Sequence, residues 1–331
     1  MVASSPPRSF TETLAFEELG ENQWQTIHPP QRMGNAANIA YGGFAVSVAA
    51  KAACLSVPDS YHLYTLMGNF LGPALTDRPL RASTRPIRKT RTFATCQVEV
   101  SQLQDNGESR PCLVALADFQ VKEKGVLLEY SAPPRLQYSH WKDCLSAKDR
   151  LEKMLREGKI SPEMAARFKP SFGMADTLFE SRHCPEGIAA QNLMGLAKSL
   201  PTTQDALPLT QKSTADWSRC RSGLPSATDN IAAVAFLMDG AISFAPLMFS
   251  RMFLGDSKAC SSLDFALRVF RNEVQFEEWH LREIVTHVGA EGRTYSESRL
   301  WDEGGACVAC MTQQSILRPW GEEKGNERGK L

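Results

Sequence analysis

The stretch Asn230–Phe249, NIAAVAFLMDGAISFAPLMF, is largely apolar and carries one charged side chain, Asp239. Taking a carboxylate out of water costs several kcal/mol even after the protein relaxes around it. Either the run bends to solvent at Asp239-Gly240, or the charge stays inside and is used. Asp-Gly is a hairpin signal, which would make Asp239 an exposed turn between two strands. The flanks argue otherwise: Ala232 to Met238 are mostly good helix formers, and Ser226, Thr228 and Asp229 offer N-caps. A helix apolar on all sides belongs inside a protein, so a helix with a buried Asp239 is the expectation. Other reactive side chains are less suggestive. Cys307 and Cys310 form a single CxxC inside an apparent strand, where the two thiols face opposite sides. Zinc needs four ligands, and no second pair supplies them. The six histidines show no metal-ligand spacing.

The elements that must position Asp239 come in two similar series. The first opens with a helical stretch from Gly42 to Leu55 and continues with the extended pieces YHLYTLMGNFLG, PLRASTRPIRKT, RTFATCQVEVSQL and PCLVALADFQV. The second begins with the Asp239 helix and continues with SSLDFALRVFRN, WHLREIVTHVGA, GRTYSESRLWDE and ACVACMTQQSIL. Alternation and β-branched or aromatic content make most of these strands. A helix followed by strands with no helix between them implies an antiparallel sheet. Arg91-Thr92-Phe93 matches Arg293-Thr294-Tyr295, Phe70 matches Phe270, and Cys112-Leu113-Val114-Ala115 matches Cys307-Val308-Ala309-Cys310, in the same order and at similar spacing. That order argues for a duplicated unit. We therefore expect an N-terminal unit over 1–140, a helical insertion and linker over 141–215, a C-terminal unit over 216–320 and a polar tail over 321–331. In the insertion, Asp149 to Glu157 reads as helix, with Glu152 placed to pair with Arg156.

The layout resembles the type II acyl-coenzyme A thioesterases. The pieces that carry the resemblance are YGGFAVSVAAKAA, RTFATCQVEV, MDGAISFAP, SSLDFALRVFRN, EEWHL, GRTYSESRLWDEGG and MTQQSILR. The resemblance implies an α+β double hotdog: two antiparallel sheets, each curled around a long central helix. It also implies hydrolysis of acyl-CoA to a carboxylic acid and coenzyme A with no cofactor. The family holds its hydrolytic water between an Asp, a Ser or Thr, and a Gln. Asp239 falls at the first position, Ser262 at the second and Gln313 at the third. Ser261 and Gln314 stand beside the last two and could replace them. Strand alternation lets only one of Gln313 and Gln314 face Asp239, and Gln313 is preferred. Asp264 is read as structural support at a strand start.

A thioester carbonyl is electrophilic, and the thiol it releases has a pKa of about 8.5. The demanding task is to hold and activate one water, with Asp239 as general base and Ser262 and Gln313 orienting it. Gly42 and Gly43, with Arg88 and Arg91, are the candidate substrate-binding positions. Arg81, Arg85, Arg88, Lys89 and Arg91 form a basic cluster that could meet the phosphates of coenzyme A or serve as a solvated strand edge. The sequence departs from the family at Tyr64 and Met67, where His is common, and at Phe265-Ala266, where His-Ser is usual. Those changes suggest a specialised substrate. The rival readings are a hydrolase of a carrier-protein-bound or polyketide thioester and a non-catalytic acyl-binding protein.

With 37 basic and 37 acidic residues in 331, the chain carries no net charge, which argues against a protein devoted to nucleic acid or acidic membranes. The one apolar run long enough for a membrane span carries Asp239. No GxSxG elbow, phosphate loop or dinucleotide fingerprint is present. The N-terminus lacks a signal pattern, so an intracellular, cytoplasmic protein is expected. Gly329-Lys330-Leu331 resembles a peroxisomal Ser-Lys-Leu ending with its first residue changed, which makes the peroxisome the alternative. Pairing with a second copy is left open.

Overall fold

The computed structural model describes residues 8–34 and 37–321. α1 (Phe10–Thr13) is followed by β1 (Phe16–Gly20), β2 (Gln23–Thr26) and α2 (Gly42–Leu55). Then come β3 (Tyr61–Phe70), β4 (Arg81–Lys89), β5 (Phe93–Leu103) and β6 (Ser109–Val121). α3 (Ala147–Arg156), α4 (Pro162–Leu178), β7 (Phe179–His183), α5 (Ile188–Asn192) and β8 (Ser213–Cys220) cross to the second half. There α6 (Ala227–Met238) and α7 (Ala245–Phe249) precede β9 (Ala259–Ser262), β10 (Asp264–Val269), β11 (His280–Ala290), β12 (Arg293–Asp302) and β13 (Cys307–Arg318).

The strands form one antiparallel sheet in the order β1-β2-β4-β5-β6-β3-β10-β13-β12-β11-β8-β7. Read inward from each end, β2-β4-β5-β6-β3 and β8-β11-β12-β13-β10 repeat one scheme, as the matched sequence pieces require. The runs meet where β3 pairs β10, from Asp264 opposite Asn69 to Arg268 opposite Thr65. Period-two burial explains the strands: from Phe93 to Val100 on β5, Ala94, Cys96, Val98 and Val100 are buried while the residues between them are only partly so. Their inner faces close over α2 and α6, which the sequence makes apolar all round. This is a double hotdog.

The two central helices pack antiparallel. Ser47 Oγ donates to the Ala232 carbonyl at 2.5 Å, and Lys51 Nζ lies 3.1 Å from Asp229 Oδ1. Where α2 begins, a Cβ on Gly43 would lie 2.8 Å from the Phe236 carbonyl, so only glycine allows this approach. Phe236 is fully enclosed and meets the rings of Phe10, Tyr41, Phe44 and Phe179 at 5.0–5.7 Å. Truncating such a ring to alanine costs about 3–5 kcal/mol.

Several details differ from the sequence expectation. SSLDFALRVFRN is not one strand: it breaks at Leu263 into β9 and β10, which pair with opposite ends of β13. The stretch 141–215 holds α3, α4 and α5 but also β7, which pairs β8 and lies in the sheet. Buried side chains of α3 and α4, including Leu151, Met154 and Phe168, pack with Phe244, Leu247 and Phe249 in a second core. Glu152 and Arg156 form no ion pair within 4.0 Å. Glu157 instead meets Lys159 at 2.7 Å and Lys153 at 4.0 Å. The ending Gly329-Lys330-Leu331 lies outside the described residues. Among those described, no helix is long and apolar enough to cross a membrane.

Candidate active site

Asp239 occupies the C-cap of α6 and is 6% exposed. Helix and turn are thus both realised: Met238 ends the helix, and the chain turns through Gly240 and the left-handed Ala241 (φ 67°) before α7. The turn stays inside because α3–α5 cover it. Of the three N-cap candidates, Ser226 serves, accepting from the Asp229 N–H.

Two of the residues expected beside Asp239 arrive from the late strands. Gln313 on β13 is fully buried, and its Nε2 donates to Asp239 Oδ1 at 2.5 Å. Ser262 Oγ donates to Gln313 Oε1 at 2.9 Å. The amide orientation follows from chemistry, since an ionised carboxylate only accepts and only the NH₂ end of the amide can donate. Gln314 faces outward, as alternation requires, and its N–H donates to Asp264 Oδ1 at 3.1 Å. Asp264 therefore braces the strand. Ser261 shares the cavity wall with Ser262 but has no bond to Gln313.

The remaining partners of Asp239 come from the first half. Tyr41 is the N-cap of α2, and no side chain caps that helix end. That helix start lies against the Asp239 carboxylate. The Gly43 N–H helps to hold the Asp239 carboxyl down, and a Cβ on Gly42 would lie 3.0 Å from its Oδ2. The Tyr41 hydroxyl lies 2.7 Å from the Phe236 carbonyl and is also within hydrogen-bonding reach of Asp239. Burial pushes the Asp239 carboxyl up to about 6, outweighing the hydrogen bonds from Gln313, Tyr41 and Gly43 that pull it down. The open end of one helix dipole favours the anion while the α6 C-terminus opposes it.

Sequence reasoning did not single out the support beneath α6. Arg282 on β11 donates through Nη1 to the carbonyls of Leu237 at 2.6 Å and Gly240 at 3.1 Å. Its Nε and Nη2 reach Asp216 Oδ1 at 3.1 and 2.8 Å. The guanidinium thereby caps the carbonyls at the helix end that carries Asp239. Burial opposes the Asp216 charge, but the adjacent Arg282 holds its carboxyl below the ordinary value. The signal for Tyr41 and Gly43 was present in AYGGFA: paired glycines opening an apolar helix with no capping side chain leave N–H donors for an anion. No local signal marks Arg282 or Asp216.

Asp239, Ser262 and Gly42 line a cavity of about 520 Å³, whose walls include Phe70, Phe179 and Phe244. Arg88 and Arg91 do not line it. Arg88 lies near the end of β4 and Arg91 in the β4–β5 turn, both exposed. Met67 and Ala266 are register partners across the β3–β10 seam, and neither lines the cavity. All nine cysteines are free, Cys307 and Cys310 included. Among the described residues no cluster of three or more His, Cys, Asp or Glu could hold a metal ion.

The family model of the acyl-CoA thioesterase N-terminal domain matches residues 29–120, and that of the C-terminal domain matches residues 179–317. Solved structures share the fold. The tesB protein of Mycobacterium avium subs paratuberculosis superposes with a TM-score of 0.65 at 16% identity, covering 94% of this chain and 98% of its own. The acyl-CoA thioesterase II TesB2 of Mycobacterium marinum gives 0.62 at 19% identity with the same coverage. A conserved hot dog protein of unknown function from Alicyclobacillus acidocaldarius gives 0.66 at 15% identity, again covering 94% and 98%. No curated protein matches this chain.

Proposed function

The chain belongs to the acyl-CoA thioesterase family and is a thioester hydrolase; from that premise we propose that Asp239 is its general base, acting on acyl-CoA with no cofactor. The observation that carries the reading is the chain of hydrogen bonds Ser262 to Gln313 to Asp239, which ties together the two of them, Ser262 and Asp239, that line one cavity. Asp239, ionised above about pH 6, takes a proton from a water as that water attacks the thioester carbonyl. Gln313 fixes one carboxylate oxygen and leaves the other for the water. Ser262 fixes the amide. Backbone N–H groups then stabilise the oxyanion, as they do elsewhere. The C–S bond then breaks, and the thiolate leaves with little acid help because its pKa is only about 8.5.

The test is thiol release from a panel of acyl-CoAs and the same acyl groups on a carrier protein. Wild type is expected to cleave the CoA esters. Asp239→Asn should lose about a thousand-fold in kcat, within the range for removal of a general base. Unchanged turnover in that variant ends the assignment, and a strong preference for carrier-bound esters moves the substrate class.

A further inference from the structure

The wall of the cavity away from Ser262 is polar where a fatty acyl pocket needs none. One register line across three strands reads His183 on β7, Asp216 on β8 and Arg282 on β11. The next carries Ser181 opposite Ser218, whose hydroxyls lie 2.8 Å apart. Ser181, His183, Asp216 and Arg282 all line the cavity. Asp216 and Arg282 satisfy each other, and Ser218 Oγ donates to Asp216 Oδ2 at 2.6 Å. His183 Nδ1 is buried with no partner.

Arg150 stands on α3, which packs against β7, the strand that carries Ser181 and His183. Ala147, one turn earlier on the same helix face, lines the cavity. Arg150 is 6% exposed, yet its Nε and both Nη atoms have no hydrogen-bond partner. Asp176, also on the cavity wall, makes no ion pair with it within 4.0 Å. Burial pulls the guanidinium down to about 10, but at neutral pH it is still a cation and can only donate. A buried guanidinium left without acceptors is a standing cost. Arg150 is not itself a lining residue, but its charge is felt by three that are, Asp176, Asp216 and His183, which puts its unmet donors just behind the polar part of the wall. Nothing in the hydrolytic chemistry uses them.

We propose that Arg150, with His183 and Ser181, forms a subsite for acceptor oxygen on the acyl group, so that the substrate is an oxygenated acyl-CoA and not a plain fatty acyl-CoA. The inference rests on the acyl-CoA reading above and adds the class of acyl group. Carboxylate, hydroxyl and carbonyl oxygens share the needed chemistry, since each accepts from a guanidinium.

The experiment measures binding, so it does not depend on turnover. Three non-hydrolysable thioether analogues of coenzyme A of equal chain length, ending in methyl, hydroxyl or carboxylate, are titrated calorimetrically into wild type and Arg150→Met. In wild type at least one oxygenated analogue should bind about ten-fold more tightly than the methyl-ended one, the scale of a hydrogen bond to a charged group. Arg150→Met should bring all three within about two-fold and raise Tm. The relative strength of the hydroxyl and carboxylate arms tells which oxygen is taken. Equal or tighter binding of the methyl-ended analogue by wild type overturns the proposal, and so does a preference that survives Arg150→Met. If that variant fails to fold, Arg150→Lys, which keeps the charge and loses the planar fork, should show a reduced preference; an undiminished one counts against it. Absence of thiol release from true thioesters would strike the hydrolytic reading while leaving this ranking readable.

Discussion

The antiparallel pairing of α2 with α6 creates two similar ends, and each holds one carboxylate. At one end Asp229 sits in the first turn of α6, bonded to Ser226 and paired with Lys51 at 3.1 Å. At the other, Asp239 sits at the last turn of α6, against the uncapped start of α2, with no cation within 4.0 Å. The strand above each end differs in the same sense. The matched triplets align Tyr295 with Phe93, hence Ser296 with Ala94, whose register partners are Gln313 and Phe119. Both partners are fully buried. The first half spends this position on an apolar ring, the second on an amide that grips Asp239. At the C-cap the first half has Ser56 and the second Asp239. One scaffold thus yields a sealed end and the end proposed to be reactive, and the difference is whether the buried charge is given a counter-ion.

The sharpest way to break that comparison is to neutralise each carboxylate in turn. Asp239→Asn should abolish nearly all turnover, about a thousand-fold. Asp229→Asn should leave kcat/KM within about three-fold. Comparable losses in thiol release from both variants would show that the ends are not chemically distinct.

The same Asp239→Asn variant has a second readout. A carboxyl raised from 3.8 to about 6 keeps its proton in the folded chain over a window where the unfolded chain has released it. Wild-type stability from this group is therefore full below about pH 4, falls as pH rises toward 6, and is constant above. The neutral variant does not titrate. Its stability relative to wild type should grow by up to about 3 kcal/mol across the whole window, of which about 1.4 kcal/mol falls between pH 5 and pH 8, where urea unfolding reads it. A gain that shrinks with rising pH would mean that Asp239 is stabilised as an anion.

Gln313→Leu gives the reactive end the apolar character of the sealed one. Loss of one positioning contact should lower kcat about a hundred-fold. Because the Gln313 amide pulls the Asp239 carboxyl down, the acid limb of the pH–rate profile should move above about 6. A lowered rate with an unmoved limb would place Gln313 on the water alone.

Much of this was legible in the residues. Matched triplets and Ala-rich stretches are local and periodic, so the duplicated helix-then-strands order could be read directly. Asp239 announced itself by being costly where it stands; alternation allowed only one of Gln313 and Gln314 to face it, and the resemblance pointed to Gln313. Ser262, like Gln313, required the resemblance. What escaped reading is long-range: Tyr41 and Gly43 reach Asp239 only through the antiparallel approach of two helices, and Arg282 meets Asp216 across strands 66 residues apart. β7 was hidden because FESRH is short and polar on both faces, a consequence of its bordering the polar side of the cavity.

The smallest effect belongs to Lys51. Its ammonium holds Asp229 Oδ1 and the Leu14 carbonyl, each at 3.1 Å, with both side chains mostly shielded. Lys51→Met keeps the aliphatic stem and removes the charge, leaving Asp229 with only its helix-cap partners. A partly exposed pair of this kind contributes about 1 kcal/mol, and the orphaned carbonyl adds to the cost, so the unfolding midpoint should fall modestly. Turnover should stay within about two-fold, because nothing in the reaction touches this end. If turnover instead dropped by an order of magnitude while stability held, the helix pair would be transmitting a shift along its length to Asp239. The sealed end would then be setting the geometry of the reactive one, and the separation drawn between them would fail.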